Sequence, residues 1–180
     1  MIDEVRIIAQ LKDEAQRENA FNTLVHEYQE VLYWQIRRLV ITHEDADDVL
    51  QNTFIKAWLA LDEFRAESKI STWLFRIAVN ESLSFLEKKK RVSDISSGTN
   101  EYIASQLLSD PYFDGDETQA LLQEAIALLP NKQKVVFNLK YFQEMKYEDM
   151  SQILGTSIGA LKASYHHAVK KITDFFQQND

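Results

Sequence analysis

The chain has 180 residues, 45% of them hydrophobic, with 28 acidic against 20 basic side chains and a formal net charge of −8. That length suits one or two domains with real cores, and no run of about 18 apolar residues offers a membrane span. The absence of cysteine excludes disulfides and thiolate metal sites. With only four glycines and two prolines there is little turn chemistry for sheets, and the apolar spacing is helical almost throughout. An all-α protein is expected. The charged, amphipathic start MIDEVRIIAQLKDEAQ does not read as a signal peptide, so a cytoplasmic location is expected.

Residues 2–41 read as two helices. Val5, Ile8 and Leu11 or Ala15 give the first a short apolar face, and Phe21, Leu24, Val25, Tyr28, Val31, Leu32, Ile36, Leu39 and Val40 give the second a longer one. Thr42 is a good N-cap for a third helix, with Asp45 at the capping-box position and Glu44, Asp47 and Asp48 where the helix dipole favours acids. Its expected apolar face is Leu50, Phe54, Ala57, Trp58 and Leu61. The pairs Glu44 with Asp48 and His43 with Asp47 stand at i, i+4, but no second pair completes a metal site, and neither a metal nor a cofactor is expected. No nucleophile, base and acid are assembled by motif either, so a catalytic role is not expected.

A charged loop, DEFRAESKI, precedes a fourth helix that Ser71 or Thr72 would cap. Ile70, Trp73, Leu74, Ile77 and Ala78 point to one side; Thr72, Arg76 and Asn80 fall within an arc of roughly 80° on another. Led in by Arg65 and Lys69, that polar stripe carries the donors that phosphates and base edges require. Charge is unevenly spread: residues 65–91 hold seven basic and three acidic side chains, whereas residues 92–124 hold seven acids and no Lys or Arg. A local positive field therefore survives the negative total.

Residues 92–117 are rich in Ser, Asp, Gly and Asn and read as an acidic flexible linker with at most one short helical turn. Beyond it, Leu121, Leu122, Ala125, Leu128 and Leu129 make a helix stopped by Pro130, and Asn131 can cap the next. A short helix, Tyr147 to Leu154, ends at Gly155, and Ser157 caps a last helix with Ile158, Leu161, Tyr165, Ala168, Val169 and Ile172 inward. Short helix, tight turn, longer helix is the helix-turn-helix pattern.

Two stretches carry a more specific signal. DADDVLQNTFIKAW followed by LDEFRAESKISTWLFRIAVN resembles conserved region 2 of the extracytoplasmic-function sigma factors, the smallest sigma-70 members, and ALLPNKQKVVFNLKYFQEMKYEDMSQILGTSIGALKASYHHAVKKI resembles their region 4. The resemblance implies two small helical domains, a region 2 bundle at residues 1–91 and a region 4 helix-turn-helix at residues 118–180, joined by the linker. It implies binding to the RNA polymerase core, through the clamp of the largest subunit and the flap of the second-largest, to direct it to promoter DNA. Asp45, Asp48 and Gln51 would dock on the core. Phe64, Arg65, Lys69, Ser71, Thr72, Arg76 and Asn80 would take the unpaired minus-ten strand, and Ser157, Lys162, Ala163, His166, His167 and Lys170 the minus-thirty-five element. An anti-sigma partner is also implied.

In one respect the chain departs from the family pattern. Ser164, His167 and Val169 stand where arginines are common, so weaker or differently specified duplex contacts are expected. The rival reading is a stand-alone helix-turn-helix regulator binding duplex DNA without replacing the initiation factor.

Overall fold

Asp3 opens the first helix, its carboxylate accepting the Arg6 N–H at 3.2 Å, and α1 runs Glu4–Lys12. The structure, a computed structural model, describes residues 3–96 and 103–179, and every regular element among them is helical. The others are α2 (Arg17–Val40), α3 (His43–Leu59), α4 (Ile70–Ser96), α5 (Ile103–Ser109), α6 (Glu117–Ala127), α7 (Asn131–Tyr141), α8 (Tyr147–Leu154) and α9 (Ile158–Asn179), with a single 3-10 turn at Leu61–Glu63 after α3.

Helices α2, α3 and α4 pack on one another with α1 against α2, while α6, α7 and α8 pack around α9. Their cores are not separate. One apolar cluster holds Leu24, Leu32, Ile36, Leu39, Leu74 and Ala78 of the first bundle together with Val135, Val136, Leu139, Met150, Ile153 and Leu161 of the second group. A smaller cluster, Ala125, Ile126, Leu129, Phe137, Ala168 and Ile172, lies within the second group alone. Across the boundary α8 and α7 lie on α4, and α7 lies on α2.

Local chemistry sets several helix ends as expected. Thr42 Oγ1 accepts the Asp45 N–H at 3.3 Å, and Gly155 closes α8 at φ +62°, where a Cβ would be strained. Ser157 Oγ accepts the Ala160 N–H at 3.3 Å. Other expectations are corrected. Neither Ser71 nor Thr72 caps α4: the helix starts at Ile70, whose N–H is bonded by the Glu4 carboxylate of α1. A carboxylate from a distant helix thus supplies both the acceptor and the negative charge that a helix start favours. Asn131 does not cap α7, which Pro130 precedes without a side-chain bond.

Face assignments shift by one position in places. Val5 is 81% exposed while Ile7 is buried, Ala46, Val49 and Thr53 join Ala57 as the buried line of α3, and Ile126 is buried where Leu128 is exposed. Val169 is also exposed rather than inward.

The acidic segment is more structured than a tether. Its α5 packs on α6, Leu107 is buried, and the Ala104 N–H donates to Glu124 at 3.0 Å. After α5 the chain is pinned to the first bundle twice. Asp110 accepts from Arg37 Nη2 at 2.5 Å, with the Arg37 side chain only 5% exposed, and Tyr112 stacks on His43 with ring centres 3.8 Å apart. The Tyr33 hydroxyl lies 2.7 Å from His43 Nδ1, and Asp47 lies 3.3 Å from Nε2, so both ring nitrogens have partners. Burial pushes the Tyr33 phenol up from its usual value, keeping it protonated and able to donate to Nδ1.

Replacing Asp110 by Ala leaves the buried Arg37 charge without its carboxylate, at a cost of about 3 kcal/mol. Faster amide exchange over α5 and residues 110–113, with α2 and α3 protected, is the expected readout. Tyr33→Phe should cost about 1 kcal/mol in urea unfolding at neutral pH. Because the folded phenol is raised, the wild-type advantage is held below about pH 10 and falls away as the pH climbs through the folded value, so the two curves converge in alkali.

Candidate nucleic-acid interface

The loop between the 3-10 turn and α4 returns on itself through Ala66, at φ +58°, and delivers Phe64 onto Trp73 with ring centres 4.9 Å apart. These two rings line an open cavity of about 430 Å³ together with Arg65, Arg76 and Gln152 of α8. Aromatic surface and guanidinium groups in one cavity are what an unstacked base with its phosphates requires.

The sequence-selected residues of this region divide by exposure. Arg65, Lys69, Arg76 and Asn80 are exposed, and Ser71 is half-buried beside Tyr28, whose phenol burial, Glu4 and Glu27 push up. Phe64 and Thr72 are buried, at 8% and 5%, so Thr72 does not belong to a solvent-facing stripe. The reason is packing: Thr72 lies one position from Trp73 and two from Leu74 on a helix covered by neighbours on more than one side. Arg76 is already engaged, its Nη2 donating to the Gln152 carbonyl at 2.5 Å. Trp73 and Gln152 are the members of this site that sequence reasoning missed. Trp73 was assigned wholly to the core, and Gln152 is brought in only by the packing of α8 on α4.

On α3, Asp48 and Gln51 are exposed, but Asp45 is half-buried and paired with Lys89 of α4 at 2.8 Å. Lys56 and Glu81 pair similarly between these helices. The basic run after residue 87 is thus partly spent within the bundle. Next to Asp48 and Gln51, Ile55 and Leu59 are 56% and 73% exposed, continuing the acidic surface into an apolar one. Their off-stripe position on the helix was the available signal for them.

In the second group, Ser151 Oγ donates to the Thr156 carbonyl at 2.7 Å and holds the turn between α8 and α9. Ser157, Lys162, Ala163, His166, His167 and Lys170 are all exposed along α9. Unlike the Arg76 face, this surface is uncovered. Among the described residues no cluster of three potential metal ligands occurs, and no helix is long and apolar enough to cross a membrane.

Comparison with known proteins agrees with the order of these surfaces. Residues 24–92 match Sigma-70 region 2 and residues 119–172 match Sigma-70 region 4. The chain is 31% identical over 179 residues to the RNA polymerase sigma-H factor of Pseudomonas aeruginosa, covering 93% of each. It is 29% identical over 158 residues to the ECF RNA polymerase sigma factor SigW of Bacillus subtilis, covering 83% of this chain and 84% of that one. Among solved structures, the sigma factor RpoE in complex with the anti-sigma factor NepR from Bartonella quintana superposes with a TM-score of 0.71 at 25% identity, covering 87% of this chain and 96% of the other. With both conserved regions present in order on an all-helical fold, the chain belongs to the extracytoplasmic-function group of the sigma-70 family of RNA polymerase sigma factors, which direct promoter-specific initiation.

Proposed function

We propose that residues 1–91 bind the polymerase core and hold the minus-ten strand, that residues 118–180 read the minus-thirty-five duplex, and that residues 92–117 set the relation between them. The chain itself catalyses no reaction and works in the cytoplasm. Asp48 and Gln51, with Asp45 once it exchanges Lys89 for a new partner, would dock on the clamp of the largest subunit beside Ile55 and Leu59. The second-largest subunit's flap would take the region 4 helices. Arg65, Lys69, Ser71, Arg76 and Asn80 would hold the unpaired strand over Phe64, with Thr72 supporting the helix from inside. On α9, Ser157, Lys162, Ala163, His166, His167 and Lys170 would face the major groove, with small residues permitting close approach.

The single observation that carries this reading is the Arg76 to Gln152 hydrogen bond. It places the helix-turn-helix against the side chains expected to hold promoter DNA, so the described arrangement is a closed one that has to open before initiation. Gln35 on α2 and Asn138 on α7 are 0% exposed and carry unpaired side-chain atoms. Each such group costs about 1–3 kcal/mol while dry, and opening would let water reach them. The complex of the similar sigma factor RpoE with NepR supports a further element, an anti-sigma partner for this chain as well. A stand-alone duplex-binding regulator is not favoured, because such a protein has no need of region 2.

Run-off transcription with purified core should give specific start sites only when this protein is added, and Arg76→Ala with Asn80→Ala should abolish them while core binding persists. Failure to bind core or to gain any start site would overturn the reading. Since the chain lacks cysteine, Asn80→Cys and Gln152→Cys permit clean dye labelling. High transfer efficiency in the free protein and a clear fall on adding core are expected; an unchanged efficiency would count against opening.

A further inference from the structure

A second cavity, of about 340 Å³, shares no lining residue with the minus-ten pocket and belongs to none of the surfaces assigned above. Its walls come from both groups of helices: Trp34, Arg37, Arg38 and Ile41 around the end of α2, the segment after α5 with one carboxylate, Asp114, and Tyr141 and Phe142 at the end of α7. Its volume falls at the lower end of the range for small-molecule sites.

Three features converge there. The Arg38 guanidinium sits 4.3 Å from the Phe142 ring centre and 6.0 Å from that of Trp34, half-buried, with no carboxylate at ion-pair distance among the described residues. Desolvation pushes its pKa down, the cost of a cation held partly away from water. Beside it Arg37, 95% covered, uses Nη2 on Asp110, while its Nε and Nη1 have no hydrogen-bond partner. Ile41, on the wall, has φ +78° where the chain turns from the end of α2 into the Thr42 cap of α3, so the turn itself fixes this part of the wall. Tyr141 and Phe142 meet edge to face at 4.9 Å and give the cavity a rigid aromatic side.

We propose that this cavity binds a small planar anion, an aromatic ring system carrying one carboxylate or phosphate group, and that its occupancy holds the two domains closed. The anionic group would supply the counter-ion that Arg38 lacks, in the forked geometry a guanidinium offers to carboxylate and phosphate alike. The ring would lie along Trp34, Tyr141 and Phe142. Because α2 and α7 both contribute walls, the ligand binds only the closed arrangement and shifts the equilibrium toward it. This coupling rests on the closed-to-open reading above; the site itself does not.

The test uses the full chain with Trp58→Phe and Trp73→Phe, so that emission reports Trp34. Adenosine 5′-monophosphate and nicotinate, neither of which emits in the tryptophan band, are the probes, with adenosine and inorganic phosphate supplying ring and charge separately. Saturable quenching by at least one probe at or below roughly 1 mM is expected, weakened at least about tenfold by Arg38→Gln and by loss of either half of the ligand. Phe142→Leu serves as the second variant should Arg38→Gln fold poorly. No saturation by either probe up to roughly 10 mM, or equal binding by Arg38→Gln, would overturn the site. Saturating probe should also lower the affinity for polymerase core severalfold. Tight probe binding with unchanged core affinity would overturn the coupling alone, whereas a chain that binds no core at all would point to failure of the initiation-factor reading.

Discussion

Leu32, Ile36 and Leu74 on one side and Val135, Leu139 and Met150 on the other share one apolar cluster, and that seam governs which surfaces of this protein meet solvent. Removing such side chains from water is the main driving force for keeping the two helical groups together, at about 25 cal/mol for each Å² of apolar surface covered. Once α7 and α8 lie over α2 and α4, the rest follows from geometry. Gln152 comes within reach of Arg76, the aromatic cavity over Phe64 and Trp73 acquires a wall, and the segment after α5 is drawn across the end of α2 to meet Arg37 and His43.

The same seam is not built for permanence. A core meant to stay shut satisfies or omits its polar groups, yet here Gln35, Arg37 and Asn138 keep unpaired atoms in the interior. Apolar cover outweighs those costs in the described arrangement, and each unpaired group narrows the margin by about 1–3 kcal/mol. Binding one arrangement better than the other by about 4 kcal/mol shifts the ratio roughly a thousandfold. Polymerase core, promoter DNA, an anti-sigma protein and a ligand in the second cavity would all act on this one balance, from opposite sides. The exposed α9 face stands apart, since nothing in the closed arrangement covers it.

Much of the architecture was legible because its signals are local. Thr42, Gly155 and Ser157 set helix ends through bonds or backbone angles within a few residues. Faces were less legible where a helix is covered on more than one side. On α3 and α4 the apolar pattern is broad, and choosing its centre from spacing alone displaced the buried line, bringing Thr53 and Thr72 inside and leaving Trp58 of the expected face 40% exposed. Asp45 illustrates a different limit. Its place in the first turn is a capping signal, but its pairing with Lys89 depends on how α4 crosses α3, and no spacing rule contains that angle.

By itself the sequence determined the helical class, the order of the two conserved regions and the positions of most helix ends, since periodicity, caps and motif spacing act over short stretches of chain. Only the tertiary structure decided that the domains share a core, that Glu4 rather than Ser71 or Thr72 serves the start of α4, and that Arg76 meets α8. It also brought Arg38 to a ring from another domain. Those contacts join residues dozens of positions apart, and their existence depends on where whole helices come to rest when their apolar faces are buried together.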